Sequence, residues 1–273
     1  MSELKPQTGM LEGQVAFITG GGSGINLGIA KNMAAAGAKV AICGRTFEKL
    51  EKAAEEIREY GVDVFPVAAD VRDLEAMEKA FAETKATLGA VSIVVAGAAG
   101  NFMSKVEDLS YNGFKTVVDI DLIGSFNTAK AAHDQLKETK GSIIFISAGQ
   151  SLDGYSHQAH VCAAKAGIDK LMKTLAIEWG PQGIRSNSII PGPIDGTEGM
   201  KRLSSPETLP MLIQSVPARR LGSVNDIGQA AVFLASGLAG YITGAVLPVC
   251  GGQTLGGSGL FNFAADQFHK PSK

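Results

Sequence analysis

The stretch GSIIFISAGQSLDGYSHQAHVCAAKAGIDKLMKTLAIEWG, residues 141–180, decides the fold class of this chain. It begins with SIIFIS, an apolar run rich in β-branched residues that is typical of a strand buried on both faces. After a polar, turn-prone segment, apolar residues recur at helical spacing from 157 to 180. Such a unit brings the end of a strand and the start of a helix to one crevice, where open α/β sheets bind ligands.

Lys165 lies in the first turns of this helix. The residues around it are small, so a ligand or another backbone could approach closely. A lone lysine on a helix is usually solvated. Evidence that this one is functional has to come from the other motifs of the chain.

Six further apolar runs predict strands, and they alternate with helical patterns. The predicted strands lie at 15–19, 39–43, 62–68, 92–97, 142–147, 184–190 and 245–249, and the predicted helices at 24–36, 46–60, 73–88, 111–138, 157–180 and 225–235. This alternation predicts right-handed crossovers and a parallel sheet covered on both faces. We therefore expect one α/β domain over residues 1–273, doubly wound and Rossmann-like, with a seven-stranded parallel sheet.

Two segments of this domain are irregular. Residues 192–222 contain four prolines and little periodicity, which predicts a loop that covers the substrate as a lid. Residues 252–273 form a tail that is glycine-rich at first and then moderately amphipathic.

Composition excludes several classes of function. The 25 basic and 27 acidic side chains of the 273 residues leave a net charge of −2, so we expect neither a nucleic-acid nor a membrane partner. No apolar run reaches the roughly 20 residues of a membrane helix. Cys43, Cys162 and Cys250 are scattered, which argues against disulfides and against a metal site. We expect a cytoplasmic protein, because thiols suit a reducing compartment and the ending PSK differs from a peroxisomal SKL.

The first predicted strand leads into TGGGSGIN, residues 19–26, at the start of an alanine-rich helix. Glycines there permit a tight turn and let a pyrophosphate reach backbone N–H groups at the helix N-terminus. The candidate cofactor-binding residues of this turn are Gly20, Gly22, Ser23, Gly24 and Ile25. Asn26 replaces the third glycine of the usual spacing, so we expect a local adjustment of the packing.

The ends of the next strands add further cofactor candidates. The second strand ends in CGRT, which offers Arg45 where an NAD enzyme usually has an acid, and an arginine can bind a 2′-phosphate. This favours NADPH over NADH, unless Arg45 is only a surface residue. Asp70 and Val71 could hold an adenine, and Ala98 lies in a small-residue turn after the fourth strand.

Together these features resemble the short-chain dehydrogenase/reductase family. The matching motifs are TGGGSGI, the pair Asp70-Val71, AGAAG, the helix with Lys165, and PGPI at 191–194, in a resemblance that covers about residues 12–252. It implies that Pro191, Gly192 and Ile194 contact the cofactor and that Lys165 holds the nicotinamide ribose. Most members use a Tyr-x-x-x-Lys pair, but Val161 occupies the tyrosine position here, and valine cannot transfer a proton. The helper serine would be Ser147, or Ala148 would take its place.

A narrower resemblance points to the 2,4-dienoyl-CoA reductases, especially the peroxisomal-type branch. It rests on AAGNF (98–102), FKTVVDIDLIGSFN (114–127), EWGPQGIRSNSIIPGPIDGTEG (178–199) and RLG (220–222). It implies an NADPH-dependent reduction of a dienoyl thioester to a trans-3-enoyl-CoA. In that branch an aspartate and a lysine act through a water, and the matching residues are Asp121 and Lys165. The tyrosine of the other branch would align near Gln150.

The chemistry supports this hypothesis independently. Reduction of a conjugated thioester leaves an enolate that must be protonated at carbon, and a water polarised between Lys165 and Asp121 could supply that proton. A purely structural role is the alternative for Asp121. Ketone reduction would suffer more from the missing tyrosine, because it needs an acid directly on the oxygen.

Several weaker candidates surround the expected site. Asn101 is a candidate for catalysis and for binding the thioester, and Phe102 could flank the diene or belong to the core. Tyr155 could contact the substrate, act as a substitute acid or lie on the surface, and Arg219 could bind the anionic CoA tail. His157 and His160 begin the central helix without a metal-ligand partner, and we expect them to be solvated.

Two rival functions remain open at this point. One is a carbonyl reductase of the same family that acts on 3-oxoacyl or other ketones through Tyr155 or a bound water. The other, suggested by Val161, is a non-catalytic dinucleotide-binding protein. The resemblance also implies a homotetramer assembled through the helices at 111–138 and 157–180.

Overall fold

The structure of the protein is a computed structural model that describes residues 9–198, 200, 207 and 209–258. Within these ranges seven parallel strands form one sheet in the order β3-β2-β1-β4-β5-β6-β7. The strands are β1 (Val15–Thr19), β2 (Lys39–Gly44), β3 (Val64–Ala68), β4 (Ile93–Ala96), β5 (Ser142–Ile146), β6 (Arg185–Pro191) and β7 (Val246–Val249). The expected doubly wound, seven-stranded parallel sheet is confirmed, and each strand lies within two residues of its predicted bounds.

Helices cover both faces of this sheet. They are α1 (Gly24–Ala35), α2 (Phe47–Arg58), α3 (Leu74–Leu88), α4 (Tyr111–Val118), α5 (Gly124–Thr139), α6 (Ala159–Trp179), α7 (Leu209–Ser215) and α8 (Val224–Ala235). Successive strand residues point to opposite faces. Ile18 and Ile144 therefore pack with α1, α2 and α8, whereas Phe17 and Phe145 pack with α3, α5 and α6.

The strand order changes direction between β1 and β4, which opens a crevice at their carboxyl ends. Thr19 joins the two strands there. Its Oγ1 donates to the Val95 carbonyl at 3.3 Å and accepts the N–H groups of Gly97 and Ala98 at 3.0 and 3.2 Å. The position of the crevice is thus fixed by a buried side chain.

The predicted continuous helix over 111–138 is wrong in one detail. A π-helical turn, Asp119–Ile123, separates α4 from α5. Such a turn adds one residue to one turn of a helix that continues on both sides. Helical spacing before and after the turn therefore predicted one continuous helix.

The expected loop over 192–222 also contains a regular element, helix α7. The ends of the segment are paired by a parallel bridge between Ile194 and Gly222, and the Gly222 N–H donates to the Pro193 carbonyl at 2.9 Å. The segment is thus closed at its base. Residues 199, 201–206 and 208 of this segment, and 259–273 of the predicted tail, lie outside the described residues.

Helices α1 and α8 pack unusually closely because each contributes a glycine to the contact. A Cβ atom at Gly28 would lie 2.9 Å from Val224 Cγ2, and one at Gly228 would lie 2.8 Å from Asn32 Cβ. The Asn32 Nδ2 also donates to the Asn225 Oδ1 at 3.0 Å. This contact holds the helix that carries the glycine-rich turn.

We predict that Gly228→Ala destabilises the protein by about 1–3 kcal/mol, because the added methyl group overpacks the contact with Asn32. The control is Gly237→Ala, where nothing lies within 4 Å of the new Cβ. Urea unfolding followed by circular dichroism measures both. Equal stability of the two variants would contradict the prediction.

Candidate active site

A cavity of about 740 Å³ opens at the carboxyl ends of the strands. All of the predicted cofactor-binding residues line it: Gly20, Gly22, Ser23, Gly24, Ile25, Arg45, Asp70, Val71, Ala98, Lys165, Pro191, Gly192 and Ile194. The loops after β1 to β6 contribute to its wall, and Leu212 of α7 closes one side. The fold therefore gathers residues that are far apart in the sequence into one site.

The glycine-rich turn has the backbone geometry that a phosphate site needs. Gly20 and Gly24 have φ values of 69° and 57°, which other residues rarely adopt. In the first turn of α1, all of which the structure describes, there is no acidic residue, and Ser23 makes no side-chain cap. The N–H groups at this end of the helix therefore face the cavity without a competing anion. These features fit the pyrophosphate of a dinucleotide.

Asn26 explains how the turn tolerates the loss of its third glycine. Its Nδ2 donates to the Gly97 carbonyl at 2.8 Å, which ties the turn to the end of β4. A Cβ at Gly97 would lie 2.7 Å from Asn26 Cγ, and one at Gly20 would lie 2.9 Å from its Nδ2. The asparagine thus takes up the space that these two glycines leave open. This is the local adjustment expected from the sequence.

The far end of the cavity carries the cationic groups Arg45 and Lys49 beside Thr46. Asp70 lies nearby, and the side-chain hydrogen bond from Arg72 keeps its pKa below the ordinary value of 3.8. Its Oδ2 accepts from the Arg72 guanidinium at 2.6 Å. Asp70 is therefore ionised at neutral pH, with its carboxylate on the cavity wall as an acceptor for an amino group.

The π-helical turn places Asp121 in the interior, next to Lys165. Asp121 is 0% exposed, and its Oδ1 accepts the Gly100 N–H at 2.7 Å. Its Oδ2 lies 3.2 Å from the Lys165 Nζ, which also donates to the Ile146 carbonyl at 2.9 Å. The small residues of α6 let the turn come this close, since a Cβ at Gly167 would lie 2.8 Å from Leu122 Cδ2.

This contact corrects one sequence-based expectation. A water cannot lie between two atoms that are 3.2 Å apart, so Asp121 and Lys165 form a direct ion pair. Lys165 lines the cavity, whereas Asp121 is not among the lining residues. A water could still bind to Lys165 on the cavity side. Asp121 would then act on it through the ammonium group.

Val161, which occupies the position of the usual tyrosine, is packed in the protein interior. Val161 is 2% exposed and belongs to a small apolar cluster with Val117 and Ala164, against which Leu122 packs. It is not among the residues that line the cavity. Valine therefore serves the contact between α4 and α6, and the side chain in its place does not face a ligand.

Three further polar side chains line the cavity near Lys165. Ser147 and Asn101 are where the sequence predicted them. The Ser147 Oγ is buried and has no hydrogen-bond partner among the described residues, so it is available to a ligand. Gln158, just before α6, was missed by the sequence reasoning, as was Met103, which also lines the cavity. Gln158 is buried, and its Nε2 donates to the Phe102 carbonyl at 3.0 Å. The only signal for Gln158 was a polar residue at a helix start.

Tyr155, a candidate for contact with the substrate, lines the cavity. Burial raises the pKa of its phenol above the ordinary value of 10.0, and Asp153, Cys162 and Cys250 act in the same direction. A raised pKa stabilises the neutral phenol. Tyr155 is therefore a hydrogen-bond donor at neutral pH but a weaker acid than a free tyrosine.

The other two substrate candidates lie elsewhere. Phe102 is 41% exposed and not among the lining residues; its ring packs on the ring of His160 at a centroid distance of 4.4 Å. Arg219 is exposed, outside the lining, and donates to the Gln214 carbonyl. The roles of Phe102 and Arg219 toward a substrate stay predictions. The expectation that His160 is solvated is wrong, because this residue is fully buried beneath Phe102. The Phe102 ring that covers it lies on a different segment of the chain, so the spacing along α6 gave no sign of this burial.

Comparison with known proteins finds similarity along nearly the whole chain. A family model described as enoyl-(acyl carrier protein) reductase matches residues 20–254. The chain is 48% identical over 248 residues to the peroxisomal 2,4-dienoyl-CoA reductase of Saccharomyces cerevisiae, covering 89% of this chain and 85% of that protein. It is 44% identical over 250 residues to the peroxisomal 2,4-dienoyl-CoA reductase of Danio rerio, with 90% and 83% covered. Both names give a (3E)-enoyl-CoA as the product.

A similar solved structure is that of a short chain dehydrogenase from Bacillus anthracis. It is 40% identical, with a TM-score of 0.80, and the match covers 88% of this chain and 96% of that one. Sequence and fold similarity therefore each extend over nearly nine tenths of the chain or more.

We predict that Asp121→Asn lowers the free energy of unfolding by about 3 kcal/mol, because it leaves the Lys165 ammonium buried without its counterion. Adding Lys165→Met should restore part of this loss, since no unpaired charge then remains. Chemical unfolding of both single variants and the double variant measures the coupling.

The control is Lys115→Met, which removes the exposed ion pair between Lys115 and Asp119. Asp119 is the first residue of the π-helical turn that carries Asp121. Such a surface pair should contribute less than about 1 kcal/mol. If Asp121→Asn is no more destabilised than this control, the buried ion pair is not the stabilising contact described above.

Proposed function

The chain belongs to the short-chain dehydrogenase/reductase family, and from this membership we propose that it is an NADPH-dependent reductase of unsaturated fatty acyl-CoA thioesters. Its proposed reaction converts a 2,4-dienoyl-CoA into a 3-enoyl-CoA. The observation that carries the proposal is the ion pair of Asp121 with Lys165 at the cavity, together with the buried Val161 in the usual tyrosine position. The names of the two relatives support the same reaction.

The cavity residues fit the proposed cofactor. The glycine-rich turn would hold the pyrophosphate, Asp70 and Val71 the adenine, and Lys165 the nicotinamide ribose. Arg45 supports the choice of NADPH, because its guanidinium suits a 2′-phosphate better than a free ribose hydroxyl. When bound, NADPH supplies a hydride.

The substrate chemistry follows from the groups near Lys165. The dienoyl thioester accepts the hydride at its δ carbon, and the displaced electrons move through the conjugated system onto the thioester oxygen. Ser147 and Asn101 line the cavity where their polar groups can donate to that oxygen. The developing negative charge would be stabilised by these donors and by the Lys165 ammonium.

Protonation at the α carbon completes the reaction. A water bound to Lys165 gives its proton to the α carbon and regains one from the ammonium group, which solvent then recharges. Asp121 keeps Lys165 in place through their ion pair. The balance is one hydride and one proton added, with the remaining double bond between the β and γ carbons. No alkoxide forms, so the reaction does not need a tyrosine on the oxygen.

We also propose a homotetramer assembled through α4, α5 and α6. Large apolar side chains on these helices support it, because Tyr111 and Ile177 are 78% and 77% exposed and Phe114 and Phe126 are also exposed. Clusters of exposed apolar residues commonly mark interfaces.

The expected cytoplasmic location remains a proposal. Three free, separated thiols support a reducing compartment, whereas the two curated relatives are named as peroxisomal proteins. None of the helices in the described ranges has the length and apolar character that a membrane crossing needs.

The central prediction concerns where the two hydrogens are added. With NADPH deuterated at the transferred position and a 2,4-dienoyl-CoA, the product should carry deuterium at the δ carbon. With unlabelled NADPH in D₂O, it should carry deuterium at the α carbon. NMR and mass spectrometry of the product measure both.

Two results would overturn the proposed function. Turnover of 3-oxoacyl-CoA or other ketones alone, lost in Tyr155→Phe, would identify a carbonyl reductase. Binding of NADPH and dienoyl-CoA without cofactor oxidation would identify a non-catalytic dinucleotide-binding protein.

A second prediction concerns the cofactor. Arg45→Gln should raise the KM for NADPH at least about tenfold, since a charge-assisted hydrogen bond contributes about 1.5–3 kcal/mol, and should leave the KM for NADH nearly unchanged. Initial-rate kinetics with both cofactors measures this. The control is Arg58→Gln on the same side of the sheet, where the arginine pairs with Glu51 on the surface of α2. If both variants behave alike, Arg45 is only a surface arginine.

A further inference from the structure

His160, in the first turn of α6, is buried in a way that packing alone does not explain. It is 0% exposed, and neither ring nitrogen makes a hydrogen bond of good geometry with the described residues. A phenylalanine of similar shape would fill the same space without burying two polar atoms that lack partners. The imidazole nitrogens therefore add a proton-binding group at a position where a hydrocarbon ring would pack as well.

Two of the described residues act on the imidazole, Phe102 and Asp121. The Phe102 ring covers it, and the Phe102 carbonyl also accepts from the Gln158 amide at 3.0 Å. The Asp121 carboxylate, on the π-helical turn, is the charged group among the described residues that acts on it. Burial lowers the pKa of His160, and this effect outweighs the opposing effects of the Phe102 carbonyl and Asp121. The imidazole is therefore neutral at pH 7, and its protonation needs a pH below the ordinary histidine range.

The covering loop connects His160 to the ion pair. At one end of residues 100–104, the Gly100 N–H donates to the Asp121 Oδ1 at 2.7 Å. At the other end, the Ser104 N–H donates to the His157 carbonyl at 3.0 Å. Phe102 lies between these two anchors and packs on His160. The imidazole thus supports the middle of the loop whose first residue holds Asp121.

We propose that the neutral imidazole of His160 is a positioning residue for the ion pair of Asp121 with Lys165. By packing beneath Phe102 it fixes the loop over 100–104, and through Gly100 it keeps the Asp121 carboxylate oriented toward Lys165. Protonation of the imidazole places a second cation near Asp121, which competes with Lys165 for the carboxylate. Turnover therefore falls in acid. This inference rests on the proposed reductase function.

The test compares His160→Phe, which keeps a ring but cannot be protonated, with His160→Ala, which removes the ring. We expect His160→Phe to retain kcat at pH 8 within about fivefold and to move the acid limb of the kcat profile down by at least about one pH unit. We expect His160→Ala to lose at least about tenfold in kcat, with a smaller change in the KM for NADPH. The control is His133→Phe on α5, where the histidine pairs with Gln182, and its pH profile should match that of the unmodified enzyme. An acid limb unchanged in His160→Phe would overturn the proposal.

A measurement without substrate separates this inference from the proposed function. The chain has four histidines, and the His160 ring signal can be assigned by NMR from its loss in His160→Phe. It should titrate below the ordinary histidine range, and Asp121→Asn should lower its midpoint further, because the carboxylate favours the charged imidazole. A midpoint that Asp121→Asn does not move would overturn the inference, even in an active enzyme. Absence of dienoyl-CoA reduction together with the expected titration would overturn only the proposed function.

Discussion

The contact between Asp121 and Lys165 is the interaction on which the arrangement of the site depends. A carboxylate without exposed surface is costly unless a cation and hydrogen-bond donors surround it, and here Lys165 and the Gly100 N–H meet this requirement. The π-helical turn brings the carboxylate inward, and the glycine at 167 lets α6 approach the turn. Neighbouring positions are apolar, which keeps water away from the Asp121 carboxylate. As a result, the Lys165 ammonium group lies at the wall of the cavity and is held there by a carboxylate in the protein interior.

The other half of the site depends on the crevice between β1 and β4. Thr19 ties the ends of these strands together, and Asn26 ties the glycine-rich turn to Gly97 on the same edge. The two links are short and buried or partly buried, and they hold the glycine-rich turn against the carboxyl end of β4. Lys165 donates to the carbonyl of Ile146 at the end of β5. The ion pair and the glycine-rich turn are therefore both anchored to the carboxyl edge of the same sheet. Such support by regular elements is what a precise site requires.

The sheet and the glycine-rich turn could be predicted from the sequence. The strands are short apolar runs bounded by turns, and the glycine-rich turn directly follows the first of them. The cofactor residues share the cavity wall for the same reason. What the sequence could not predict depends on three-dimensional contacts. The π-helical turn lies between two stretches of ordinary helix, the 3.2 Å distance replaces an expected water, and the burial of His160 involves a loop that covers it. Arg219 and Phe102 were expected in the site from their neighbourhood in the chain, yet their side chains are outside the lining of the cavity.

The closed base of the segment between Ile194 and Gly222 has a consequence for how such a protein can diverge. Because the two ends are already paired, inserting or deleting residues between them adds little loop-closure entropy and leaves the sheet unstrained. Leu212 on this segment lines the cavity, whereas Lys165 lies on α6 and Asp121 on the π-helical turn. Descendants of this chain can therefore change the shape of one side of the cavity by altering one segment, while the buried ion pair is inherited intact.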